Sequence, residues 1–191
     1  MRIGFMLYGS VHTLSGGYLY DRQMVAFLRH SGHDVEIIPL PVHGYARRLA
    51  DNLSGDLLER ISGKPYDLLI QDELCHPSLW RFNHRLRRRS RVPLVAVVHH
   101  LVCREPRSRI LNFMLAWPEK RFLRSVDGFI VNSDATRRIV LAALDTGNKP
   151  LVVAPPGGER FDRAVTLEEV QARATQEGPL RLLFAGLVIA I

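Results

Sequence analysis

A pair of glycines at a helix start is the first feature in this chain that could do chemistry. Gly9-Ser10 and then Ser15-Gly16-Gly17-Tyr18 follow an apolar run ending at Tyr8. Glycines placed there let backbone N–H groups approach a phosphate at the positive end of the helix. The spacing is neither the GxGxxG of dinucleotide sites nor a Walker loop with Gly-Lys-Ser/Thr, so NAD and ATP lose support. The same glycines could also serve turn geometry alone.

Farther along, Val97-Val98 runs into His99-His100. Neighbours on a strand point to opposite faces, so at most one of these imidazoles can face a cleft directly. Such a histidine can bond a substrate hydroxyl or developing charge, or it can be a satisfied structural residue. The pair lacks metal-site spacing and has no partner ligands nearby in sequence, so no metal is expected. Gln71-Asp72-Glu73 offers carboxylates that could orient sugar hydroxyls or act as bases. Their commoner use is to compensate a helix dipole. The third feature is Trp80-Arg81-Phe82-Asn83-His84-Arg85-Leu86-Arg87-Arg88-Arg89, arginines mixed with aromatics on an expected helix. It could lie on anionic headgroups or follow a phosphate backbone, with nucleic acid the weaker option. The plain alternative is a solvated charged face with Trp80 and Leu86 turned inward.

These groups need a scaffold that gathers them. Arg2–Tyr8 reads as a strand, and the helix after the glycines places Tyr20, Met24, Phe27 and Leu28 on one face. Gly32 suits a left-handed helix end before a strand at 34–38. A helix over 46–61, a turn at Gly63-Lys64-Pro65 and a strand at 67–71 follow. The basic helix over 78–90 leads to a strand at 93–98. The next helix, 108–123, should be kinked or divided by Pro118. After Gly128–Val131, Asn132-Ser133-Asp134 caps a helix through Leu144, and a strand covers 151–154. Near-continuous apolar strands between helices indicate an α/β, Rossmann-like doubly wound, mostly parallel sheet with helices on both faces. Ligands then sit beyond the carboxyl ends of the strands, where the features above fall.

Residues 1–155 are expected to form this domain, and 156–179 a linker with a short helix opened by the capping box Thr166…Glu169. Residues 180–191 read as the first strand of an incomplete second domain, because the chain stops on an apolar run. At 191 residues and 47% hydrophobic, the chain can bury a core and is not intrinsically disordered. Cys75 and Cys103 form no disulfide framework, which fits a reducing cytoplasm. No stretch reaches the length of a spanning helix. Six arginines from Arg81 to Arg91, with no acid among them, account for all but one of the formal +7. The basic character is one local patch.

In order and spacing these pieces resemble the N-terminal domain of a glycosyltransferase family 4 enzyme of the GT-B fold. The resemblance rests on Ser15-Gly16-Gly17-Tyr18, Gly32-His33-Asp34-Val35 and Val97-Val98-His99-His100. It continues through Glu119…Val126-Asp127-Gly128, Asn132-Ser133-Asp134-Ala135-Thr136 and Val153-Ala154-Pro155-Pro156-Gly157-Gly158, to Leu182-Leu183-Phe184-Ala185-Gly186. It implies transfer of a hexosyl group from a nucleotide-sugar to an acceptor, with retention, in a cleft between two Rossmann-like domains. Gly16, Gly17 and Ser15 would then lie at the donor's diphosphate and sugar. His100, or else His99, would contact the transferred sugar. Asp72, Glu73 and Tyr18 are the acceptor-side candidates, and no cofactor beyond the nucleotide-sugar is implied. The family's second domain, which carries a basic pair and a Glu-x7-Glu element, is represented only by its expected first strand, so the chain alone is expected to bind donor weakly and to transfer nothing.

A lipid-linked, glycan or small-molecule acceptor at the inner face of the membrane would suit the basic patch. The competing reading is a stand-alone Rossmann-like binding module held to an anionic membrane or RNA by the 81–91 helix. A dehydrogenase is disfavoured, because the second strand ends in Pro39-Leu40-Pro41 with no ribose-binding acid.

Overall fold

The computed structural model describes residues 1–104, 108–144, 149–157, 165–176 and 178–179. Six parallel strands form one sheet in the order β2-β1-β3-β4-β5-β6. They are β1 (Arg2–Tyr8), β2 (Asp34–Leu40), β3 (Leu68–Asp72), β4 (Leu94–Val98), β5 (Gly128–Val131) and β6 (Leu151–Val153). The order reverses direction at β1, so the switch point of this doubly wound sheet lies between β1 and β3.

Strand β1 shows why the sheet is buried on both sides. Ile3, Phe5 and Leu7 join one apolar cluster, while Met6 and Tyr8 join the other. This is the period of two that sends alternate side chains to opposite faces. Gly4 leaves the room this packing needs: a Cβ there would meet Leu69 Cδ2 at 2.6 Å and Ile38 Cδ1 at 2.8 Å.

Helix α1 (Gly16–His30) covers the face made by Ile3, Phe5, Leu7, Ile70 and Val97. Tyr20, Met24 and Leu28 pack there as expected, but Phe27 is 69% exposed. The inward face centres on the buried Asp21 and Val25, and Phe27 lies about 200° round the helix from Val25. The opposite face is covered by α3 (Gly55–Ser62), α4 (His76–Leu86), α5 (Arg109–Ser125) and α6 (Asp134–Ala143).

The single helix expected over 46–61 is two, α2 (Tyr45–Asp51) and α3. Asn52 makes the break. Its side chain donates to the Leu49 and Pro77 carbonyls and accepts from the backbone N–H of Arg81 and Phe82. Ser54 then restarts the helix by accepting from Leu57 N–H. Pro118, by contrast, does not divide α5. The second half of that helix buries Phe122 and Leu123 completely, which offsets the roughly 3 kcal/mol an internal proline costs. A buried polar lock joins the layers: Gln71 on β3 and Asn83 on α4 exchange two amide hydrogen bonds of 2.9 Å, and Asn83 donates to Ser125 on α5.

The chain divides into one compact unit over Met1–Pro156 and a second over Gly157–Ile191. In the second, α7 (Leu167–Ala174) starts with the expected capping box, Thr166 and Glu169 each bonding the other's backbone N–H. The strand expected at 180–184 and the run to Ile191 lie outside the described residues. Among the described residues no helix is long and apolar enough to cross a membrane.

Candidate functional site

The carboxyl edge of the sheet brings α1, β3, β4 and α6 to one point. Ser15 caps α1 by accepting from Tyr18 N–H at 3.2 Å, which leaves Gly16 and Gly17 as the first helical residues. Neither glycine has a positive φ, so the backbone there does not require glycine. A Cβ on Gly16 would meet nothing within 4 Å, and one on Gly17 would touch the His99 ring at 3.4 Å. Gly16 supplies open space above a helix N-terminus, where backbone N–H groups can receive an anion, and Gly17 lets the His99 ring lie against the turn.

His99, at the end of β4, is the imidazole that packs on this turn. Its Nε2 lies 3.1 Å from Asp21 Oδ1, one helical turn beyond Gly17. Tyr20 meets the ring edge-on, with centroids 5.2 Å apart, and donates its hydroxyl to the Ala154 carbonyl at the end of β6. The backbone of His99 is held from the other side by α6. There Ser133 caps the helix and Thr136 Oγ1 reaches the His99 carbonyl at 3.3 Å and Asn132 Oδ1 at 2.7 Å. His99 thus sits between two helix N-termini. His100 is exposed and lies near Glu119, whose pKa burial raises overall while hydrogen bonds to Val102 and Cys103 and the charge of His100 oppose the rise.

Asp72 and Glu73 part in the same way. Asp72 accepts from Leu74 N–H at 2.9 Å, the capping use, and faces Asp21 and His99. Burial, and then the charge of Asp21, pushes its pKa up to about 7. For His99, burial pulls the pKa down, but the Asp21 hydrogen bond and charge, with Asp72, raise it overall. The opposing effects favour the protonated imidazole on Asp21, beside a carboxyl whose pKa is raised to about 7. Glu73 is wholly buried on the far side with His76 and Glu119. Tyr18 donates its hydroxyl to the Tyr8 carbonyl, and burial, first among several causes, raises its pKa to about 12.

Asp21, Asp72 and His99 bring metal-ligating atoms within 4.8 Å of one another, and so do Glu73, His76 and Glu119. Protein contacts already occupy several of these groups. Glu119 accepts from the N–H of Val102 and Cys103, and Asp21 holds His99. A cleft of about 280 Å³ near the end of β2, lined by Pro39, Pro41, Asp51 and Arg60 among others, includes neither glycine nor His99.

The arginine segment is only partly a free cationic face. Arg85 donates to the Asn52 and Ser54 carbonyls, and Arg87 to Ser125 O and Asp127. Arg81, Arg88 and Arg89 are exposed, Leu86 is buried, and Trp80 is half-buried. The residues that sequence reasoning passed over are Asp21 and Tyr20. The signal was present in Asp21, an acid on the helix face that carries Val25 and Leu28.

A comparison with curated proteins found no match. The family model described as Glycosyltransferase Family 4 matches residues 15–158, from the N-cap of α1 to the end of the Pro-Pro-Gly-Gly run. With the Rossmann-like parallel sheet and a match over most of its length, the chain belongs to glycosyltransferase family 4.

Proposed function

We propose that this chain forms the acceptor-side half of a sugar-transfer cleft, in which a hexosyl group passes with retention from a nucleotide-sugar to an acceptor hydroxyl. The observation that carries the reading is the close approach of His99 to Gly17, where a Cβ would touch the ring at 3.4 Å, so that a helix N-terminus and an imidazole whose protonated form is favoured share one place. A diphosphate leaving group is what such a pair receives well, because both stabilise negative charge as it develops. In the transfer, the anomeric C–O bond to phosphate breaks and the acceptor oxygen bonds the same carbon. The acceptor's proton departs with the diphosphate.

Of the two histidines, His99 takes the role at the transferred sugar. Asp21 occupies its Nε2, leaving Nδ1 as the ring nitrogen for a sugar or phosphate oxygen. Asp21 and Asp72 act as positioning residues that orient the ring and favour its protonated form. Tyr18 and the 39–45 stretch stand on the acceptor side of the glycine turn. The stand-alone module reading gains nothing from this site, because only Arg81 and Arg85 of its arginines lie on α4, which ends at Leu86 instead of running on to 90, and Arg87, Arg88 and Arg89 form the turn that follows.

The test is an NMR titration of the chain with a nucleoside diphosphate sugar. The amides of Gly16 and Gly17 and the ring of His99 should shift together, and they should not in a His99→Ala variant. Shifts confined to other parts of the sheet would overturn the reading. Transfer is then measured on the chain joined to a donor-binding domain, with retention read from the anomeric configuration of the product.

A further inference from the structure

Helix α5 carries an outward stripe that no other described element covers. Ile110, Phe113, Met114 and Trp117 are 76%, 80%, 65% and 51% exposed. Their spacing of three, one and three residues puts them on one side of the helix. The same side continues through Lys120, Arg121 and Arg124, all exposed. The stripe is therefore apolar over its first turns and cationic over its last. The helix's only acid, Glu119, is buried on the opposite side.

The neighbouring helix widens the surface. Trp117 meets Trp80 of α4 edge-on at 4.9 Å, and the guanidinium carbon of Arg121 lies 4.8 Å from the Trp117 ring centroid. Exposed Arg88, just beyond the end of α4, adds its charge on this side. After burial, the charges of Arg121, Arg87 and Arg88 lower the pKa of His84, which marks a shared cationic field across the two helices.

A contiguous apolar patch rimmed by cations is a contact surface, not ordinary scatter. We propose that it docks on an anionic lipid bilayer, with Ile110, Phe113 and Met114 in the acyl boundary and Trp117 at headgroup level. Lys120, Arg121 and Arg124 then lie on the phosphates. The match is one of charge and shape. An unpaired apolar ridge needs a fluid apolar phase, and the cations beside it need a field of negative charge. Arg88, beyond the end of α4, supplies only charge; the apolar half comes from α5. The proposal does not depend on sugar transfer, and either can fail without the other.

The chain has two tryptophans, Trp80 and Trp117, and both lie in this surface, so intrinsic fluorescence reports directly on docking. The experiment mixes the chain with phosphatidylcholine vesicles containing about a third phosphatidylglycerol, and with phosphatidylcholine alone. Expected are co-sedimentation with the anionic vesicles, a blue shift of emission, quenching by brominated acyl chains, and weakening at high salt. A Phe113→Ser/Met114→Ser variant should lose binding roughly tenfold or more while keeping the parent's melting temperature, because both side chains are exposed. Arg121→Gln/Arg124→Gln should lose the preference for anionic lipid. No binding, equal binding to both vesicle types, binding unchanged by the serine pair, or a serine-sensitive dimer in the absence of lipid would each overturn the proposal.

Discussion

Asp21 Oδ1 and His99 Nε2 stand 3.1 Å apart although 78 residues separate them, and the carboxylate is wholly buried. The pair joins the helix that begins at the glycines to the strand that ends in the imidazole. It therefore fixes the position of the ring and favours its protonated form.

Replacing Asp21 with Asn should lower the pKa of His99, because the hydrogen bond and charge of Asp21 are the main influences opposing burial. Asp72→Asn should lower it less. Ring-proton NMR titration of both variants checks the order, and a His99 pKa unmoved in D21N would contradict it. Sugar transfer by the completed enzyme should fall roughly 10- to 1000-fold in D21N.

The buried Asp72 gives a stability prediction whose sign can be worked out. Its pKa is raised in the folded chain to about 7 against an ordinary value of 3.8, so the folded state binds this proton more tightly than the unfolded one. That contribution is complete at low pH and is lost as pH rises through 7. Asp72→Asn should match the parent near pH 4 and exceed it above pH 7, by on the order of 1–3 kcal/mol, in denaturant titrations at the two pH values.

The two glycines separate space from backbone conformation. Gly16→Ala and Gly17→Val both keep an allowed φ, and Gly16→Ala, which meets nothing within 4 Å, should not lower the melting temperature much. Valine at 17 would push into the His99 ring, which a Cβ already touches at 3.4 Å. Donor affinity should fall in both variants, whereas only Gly17→Val should also move the His99 ring resonances.

Gly4 tests the core and not the site. A Cβ there would lie 2.6 Å from Leu69 and 2.8 Å from Ile38, in a sheet that cannot yield freely. Gly4→Ala should cost about 1–3 kcal/mol in urea unfolding and leave the His99 titration unchanged.

Local chemistry in the sequence determined the elements. The alternation from Ile3 to Tyr8, the N-caps Ser15, Ser133 and Thr166, and the unbroken apolar strands required a doubly wound sheet with its chemistry at the carboxyl edge. Those signals are short-range, and each acts within one element. Which of two adjacent histidines meets the glycine turn depends on the side to which β4 turns each residue, and that is set by packing across four elements. The same holds for Asp21, whose partner is 78 residues away, and for Asn52, which breaks a helix by bonding to a different one. The exposed ridge of α5 was hidden for the opposite reason. Its apolar periodicity looks like that of any core-facing helix, and only the assembled fold shows that its Phe122 and Leu123 side takes the core while Phe113 and Trp117 are left outside.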